Sequence, residues 1–358
     1  MTATDSSTST LDRLCVDTIR TLSMDAVQKA NSGHPGTPMA LAPLAYVLYT
    51  RVMRHNPSDP DWIDRDRFVL SAGHASMLLY SMLYLTGYPL TLEDIEHFRQ
   101  VGSPTAGHPE RKYTPGIEAT TGPLGQGISM SVGLALAERM LAARFNRPEH
   151  EIVDHYTFTI ASDGDIQEGV ASEASSLAGH LGLGRLIAFF DDNKVQLAGP
   201  TKLAFSEDVA ERYQAYGWHV QNLGDDLDLN RLEEATREAM AVEDRPSLVI
   251  LRSHIGFGSP KQDSYKAHGS PLGEDDVRKT KEAYGWDPDK HFYVPEEALA
   301  HFRRCCERGQ EMQSEWQERF QAYRDQYPEE AAQLQMIDAG GMPEGWDADE
   351  LPRFEPGE

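Results

Sequence analysis

Two stretches decide the fold: Tyr156-Thr157-Phe158-Thr159-Ile160-Ala161-Ser162-Asp163-Gly164, and Leu186-Ile187-Ala188-Phe189-Phe190-Asp191-Asp192-Asn193. Each begins as an apolar run of strand length and ends in a short polar turn. Between them, Glu168 to His180 reads as a helix. Strands separated by helical segments predict an α/β fold, a doubly wound, mainly parallel sheet with helices on both faces. In such sheets ligands sit beyond the carboxyl ends of the strands. That places Asp163 and Asn193 where a ligand belongs.

Outward from this pair the same alternation continues. Arg67 to Leu70 and Ser247 to Leu251 read as further strands. Leu11 to Ala30, Met39 to Val52, Ser76 to Leu85, Leu134 to Phe145 and Leu229 to Ala241 carry helical spacing or helix-forming composition. Thr120 to Gly133 is a Gly/Ser/Thr-rich lead-in. Residues 11–294 are read as one binding domain and residues 1–10 as a frayed tail. Residues 295–358 are read as a helical extension, Glu296 to Tyr327, followed by an acidic linker. From 327 to 358 there are nine acids against one base, which marks a linker or tail, not a domain.

The 358 residues are about 40% hydrophobic and 25% charged, as in ordinary soluble proteins. No apolar run is long enough to cross a bilayer, and the N-terminus lacks a signal-peptide pattern. Three cysteines, Cys15, Cys305 and Cys306, provide neither a disulfide framework nor zinc spacing, so a reduced, cytoplasmic setting is expected. The net charge of −24 argues against nucleic acid as a partner. It leaves phosphorylated ligands open, since local pockets can bind phosphate in an acidic protein.

Asp163 offers a carboxylate, Asn193 a neutral amide oxygen and Val195 a backbone carbonyl. Three oxygens leave about three positions of an octahedron for a diphosphate and a water around a hard cation. Gly164 permits close approach of the backbone. The plainer reading is a helix cap at Asp163 and a turn at Asn193. The spacing of thirty residues between adjacent strand ends favours the site. Four histidines also sit in glycine-containing loops: Gly33-His34-Pro35, Gly73-His74, Gly107-His108-Pro109-Glu110 and His268-Gly269. Imidazoles can hydrogen-bond sugar hydroxyls and move protons near neutral pH.

Asp-Gly followed some thirty residues later by Asn resembles the metal–diphosphate motif of thiamine-diphosphate enzymes. Ser162-Asp163-Gly164-Asp165, Gln167-Glu168-Gly169 and Ser172 to Leu181 look like transketolases in particular, with Ser162 standing where the family usually has Gly. The resemblance runs from Leu11 to about Phe354. It implies thiamine diphosphate with Mg²⁺ or Ca²⁺ as cofactors, and sugar phosphates as substrates of two-carbon ketol transfer. It assigns His34, His74, His108 and His268 to the cofactor and donor-sugar channel. Thr121-Gly122-Pro123-Leu124-Gly125 would lie along the cofactor, with Gly122 at the aminopyrimidine side and Leu124 by the rings. Ile255 and Leu197 would form apolar walls near the thiazolium, and Glu168 would join a carboxylate network between subunits of a dimer. The resemblance also covers only the first half of a transketolase. The pyrimidine-binding and C-terminal domains, with the glutamate that activates the cofactor, would come from the missing half or from a partner chain in a homodimer or hetero-oligomer. The chain alone is accordingly expected to be inactive or nearly so. A non-catalytic module of the same fold is the alternative, disfavoured by retention of the metal ligands and all four histidines. A nicotinamide dehydrogenase is disfavoured because no GxGxxG follows the first strand.

Overall fold

The computed structural model describes residues 9–342, together with 354 and 357. Five parallel strands form the main sheet: β1 (Arg67–Leu70), β2 (Thr157–Ser162), β3 (Leu186–Asp191), β6 (His219–Asn222) and β7 (Ser247–Leu251). Their order is β1-β2-β3-β7-β6. A two-residue-per-strand hairpin, β4 (Val195–Gln196) and β5 (Gly199–Pro200), rises from the end of β3.

Side-chain alternation divides each central strand between two cores, as a sheet covered on both faces requires. Phe158, Ile160, Ile187, Phe189, Val249 and Leu251 join the core built on the helices Thr10–Ala30, Gly36–Val47 and Ser76–Thr86. Ala161, Leu186, Ala188, Phe190, Leu248 and Ile250 face the other way, under the helices Gln126–Phe145 and Gly169–Leu181. The doubly wound reading of the sequence holds.

Differences from the sequence reading are local. The expected frayed end reaches too far, because Ser9 caps the first helix: its hydroxyl accepts from the Asp12 amide at 3.0 Å and Asp12 returns the bond. Residues 1–8 lie outside the described residues. The helix expected from Leu134 starts eight residues earlier, at Gln126. Its glycines gave no apolar signal, yet Gly127 is required there: a Cβ would lie 2.3 Å from Ser71 Cα. The strand β6 and the helices Val209–Ala215 and Glu274–Tyr284 also went unread. The stretch 327–342, expected as linker, contains the helix Pro328–Asp338. It buries Ala331 and Leu334 against Trp62, Phe145, Trp316 and Tyr323. The long helix Glu296–Gln326 buries Ala298 and Phe302 in the main core. The rest of the expected acidic linker lies almost wholly outside the described residues.

Candidate functional site

At the carboxyl ends of β1, β2 and β3 a cleft of about 420 Å³ opens. Ten of the fourteen residues singled out from the sequence line it: His34, His74, His108, His268, Gly122, Leu124, Asp163, Gly164, Glu168 and Leu197. Ser162, Gln167 and Gln196 complete the lining. The other four sit around it. Pro123 is exposed at the rim. Asn193 and Val195 are buried behind Asp163, at 2% and 6% exposure. Ile255, read as an apolar wall, is fully buried and packs against Gly36.

Parallel register explains how the acidic and amide loops meet. Ser162 of β2 pairs with Asp191 of β3, so Asp163 and Asn193 leave neighbouring strand ends. The Asn193 side chain donates to Asp191 Oδ2 at 2.7 Å, and its Oδ1 accepts the Val195 amide at 2.9 Å. An amide oxygen has two lone pairs, so one remains. Asp163 Oδ2 accepts the Thr201 hydroxyl at 3.2 Å, and Gln196 also hydrogen-bonds this carboxylate. Among the described residues Asp163 has no ion-pair partner. Burial raises its pKa, and nearby Asp192 adds to that. Burial also pushes Asp191 up to about 6, with Asp163 and Asp192 contributing. Asp192 is paired with Lys194 and Arg252 donates to the Asn193 carbonyl, whereas neither Asp163 nor Asp191 has an ion pair among the described residues. That donor set suits a hard divalent cation.

The opposite wall is imidazole. The rings of His34 and His74 lie 4.9 Å apart, those of His74 and His268 5.1 Å, and those of His34 and His268 5.5 Å. Burial lowers the pKa of His34 to about 4, and lowers those of His74, His108 and His268. All are neutral at pH 7, each with one N–H and one lone pair. His34 Nδ1, His74 Nε2 and His268 Nδ1 are buried without a hydrogen-bond partner, as is Thr121 Oγ1. Orphaned polar atoms are rare in folded proteins, and several around one cleft mark a place that a ligand completes. Leu124 and Leu197, 36% and 72% exposed, give the cleft apolar lips.

Asp165 holds the two halves together, and the sequence reading gave it no role. Its Oδ2 accepts the Ser162 amide at 2.8 Å and hydroxyl at 3.0 Å. Its Oδ1 accepts the Gly125 amide at 2.8 Å and the Ser71 hydroxyl at 2.7 Å. Ser71 in turn accepts from the Ile128 amide, capping the Gln126–Phe145 helix. The Ser-x-x-Asp spacing at 162–165 was the available signal, a capping box. The backbone after Gly164 turns through a short helix before the longer Gly169–Leu181 helix begins. The helix there is only Asp163–Gln167, and Glu168 breaks it with an extended backbone. Close approaches are set by glycine: a Cβ on Gly73 would meet Thr121 Oγ1 at 2.6 Å and the Gly122 amide at 2.8 Å. Gly125, with φ +78°, would meet Glu168 Cβ at 2.6 Å.

Residues 11–343 match the family described as transketolase, thiamine diphosphate binding domain. The chain is 54% identical over 348 residues to a transketolase of Halalkalibacterium halodurans, covering 97% of this chain and 52% of that protein. It is 52% identical over 346 residues to the chloroplastic transketolase of Zea mays, covering 95% and 51%. A transketolase from Pichia stipitis, in complex with sedoheptulose 7-phosphate, superposes with a TM-score of 0.94 at 50% identity, covering 98% and 52%. The chain thus spans about half the length of the relatives it matches. A buried, unpaired carboxylate facing a cluster of neutral imidazoles at the strand ends, together with these likenesses, establishes that the chain belongs to the transketolase family and carries its thiamine-diphosphate-binding domain.

Proposed function

We propose that this chain supplies the diphosphate-binding half of a transketolase, which transfers a two-carbon ketol unit from a ketose phosphate to an aldose phosphate. The observation that carries the proposal is the convergence in one cleft of unpaired Asp163 with the orphaned nitrogens of His34, His74 and His268. Asp163, Asn193 Oδ1 and the Val195 carbonyl would hold Mg²⁺ or Ca²⁺, and the cation would anchor the diphosphate. Its charge would offset the carboxylates that burial now destabilises. Gly122, Pro123 and Leu124 would flank the rings, with Leu197 and Ile255 excluding water. When bound, thiamine diphosphate supplies an electron sink for the carbanion formed as the donor carbon–carbon bond breaks.

The imidazoles of this chain then have defined tasks. Being neutral, each can accept a proton from a sugar hydroxyl at its free nitrogen and return it. His34 Nδ1, His74 Nε2 and His268 Nδ1, which lack partners, would hydrogen-bond the substrate hydroxyls or the cofactor, and His108 lies near Gly122. Glu168, exposed beside Gly125, would face a second subunit. The pyrimidine-binding and C-terminal domains would complete the site, in a homodimer or as a partner chain, in the cytoplasm. The test is reconstitution. This chain mixed with one carrying the complementary half should produce ketol transfer from xylulose 5-phosphate to ribose 5-phosphate, and His268→Ala should reduce it. A mixture of folded chains with no transfer counts against the proposal.

A further inference from the structure

A second cavity, of about 570 Å³, lies at the other end of the sheet. Asp154 and Arg185, just before β2 and β3, form part of its wall. Its lining carries five carboxylates, Glu138, Glu151, Asp154, Glu243 and Asp244, against two guanidiniums, Arg139 and Arg185, a net of −3. Both guanidiniums are engaged. Arg185 is ion-paired with Asp154, and Arg139 donates to the carbonyls of Leu181 and Gly182; Asp244 is paired with Arg245 and Asp154 also with Arg54, which leaves Glu138, Glu151 and Glu243 without an ion pair among the described residues. The helices Gln126–Phe145 and Gly169–Leu181 both end here, bringing the negative ends of their dipoles to the wall. The decisive group is Glu138. It is 95% buried and lines the cavity, yet its carboxylate makes no hydrogen bond and no ion pair among the described residues. Burial pushes its pKa up to about 7. Its oxygens open into the cavity, with the Arg185 guanidinium the nearest charge acting on them, so a cation entering from outside can reach them.

No three His, Cys, Asp or Glu side chains among the described residues gather at one point of this cavity. The charge is instead spread along the cavity, which suits a ligand carrying several separated ammonium groups. We propose that this cavity binds a linear aliphatic polyamine, with one ammonium on the Glu138 carboxylate. The site is remote from the histidine cleft, and its occupancy does not depend on ketol transfer.

Spermidine is the probe, titrated calorimetrically into the full chain at pH 8 and low salt. One saturable site is expected, with a Kd of about 1 mM or tighter. Glu138→Gln should weaken it at least about tenfold, as expected for losing a desolvated charge partner. Glu151→Gln, at the exposed mouth, should weaken it by a smaller factor while leaving the buried packing untouched. A control removing two exposed carboxylates elsewhere, Glu315→Gln with Glu318→Gln on the long helix, should leave affinity unchanged. The proposal is overturned by absence of a saturable site. It is also overturned if the control weakens binding as much as Glu138→Gln, since that is general attraction to an acidic protein. Binding unaffected by both Glu138→Gln and Glu151→Gln overturns it as well.

Discussion

Replacing Asp165 by Asn should unlock the cleft, and the structure says by how much. Each carboxylate oxygen accepts one backbone amide and one hydroxyl. Either orientation of the asparagine turns one oxygen into an NH2 group. The serine hydroxyl on that side can rotate to accept, but the backbone N–H of Ser162 or Gly125 cannot. One buried amide is then orphaned, at about 1–3 kcal/mol, and the surviving bonds lose the strength a charged acceptor gives, about 1 kcal/mol more. Relief of desolvating a charge works in the other direction, because burial raises the pKa of Asp165. The net expectation, after that relief, is a loss of about 1–3 kcal/mol, a sizeable share of a typical stability of ~5–15 kcal/mol. Urea unfolding at pH 7 reads it as a lower midpoint with an unchanged slope. Ser71→Ala shares the Ser71–Asp165 bond, so the double variant should cost less than the sum of the singles. An Asp165→Asn midpoint within error of the parent, or strictly additive singles, would refute the reasoning.

Other perturbations are read from the same geometry. Gly73→Ala forces a Cβ against Thr121 Oγ1 and the Gly122 amide, so it should cost about 1–3 kcal/mol; denaturation midpoints check it, and no change would show that this loop yields freely. His34 has its folded pKa lowered from 6.5 to about 4, so the unfolded chain binds the extra proton between those values and stability should fall as pH drops through that window. His34→Gln should flatten this slope in urea titrations at pH 7 and 5, and an unchanged slope would contradict it. Glu138 has the opposite sign: its folded pKa is raised from 4.5 to about 7, so the folded chain holds the extra proton and stability falls as pH rises through that window. Glu138→Gln should remove that loss and be the more stable chain at pH 8 without polyamine; a less stable variant would show that the carboxylate has a partner.

How much was legible depended on whether a residue's task left a local mark. The strands β2, β3 and β7 were visible because burial on both faces demands unbroken apolar runs. The strand β6 was not: His219-Val220-Gln221-Asn222 pairs with β7 along one edge and stays partly exposed, so its residues are mostly polar. The helix Pro328–Asp338 hid because only Ala331 and Leu334 bury, too few for a periodic stripe. Within the cleft, the histidines were marked by their glycine neighbours. Asp165, Ser71 and Asp191 were missed because they act through partners distant in sequence, such as Ser71 with Asp165 and Asp191 with Ser253. The side-chain directions of Asn193 and Ile255 follow from packing that the sequence does not display.

The claim on which the rest depends is that a cation at Asp163, Asn193 and Val195 anchors a diphosphate. Calorimetric titration of thiamine diphosphate, with Mg²⁺ and with chelator, into the parent chain and into Asp163→Ala and Asn193→Ala measures this directly. The predicted result is saturable binding that needs both Mg²⁺ and the terminal phosphate, is lost in both variants, and leaves the unfolding midpoint of Asp163→Ala close to the parent. Binding that persists in chelator, or survives Asp163→Ala undiminished, would contradict it.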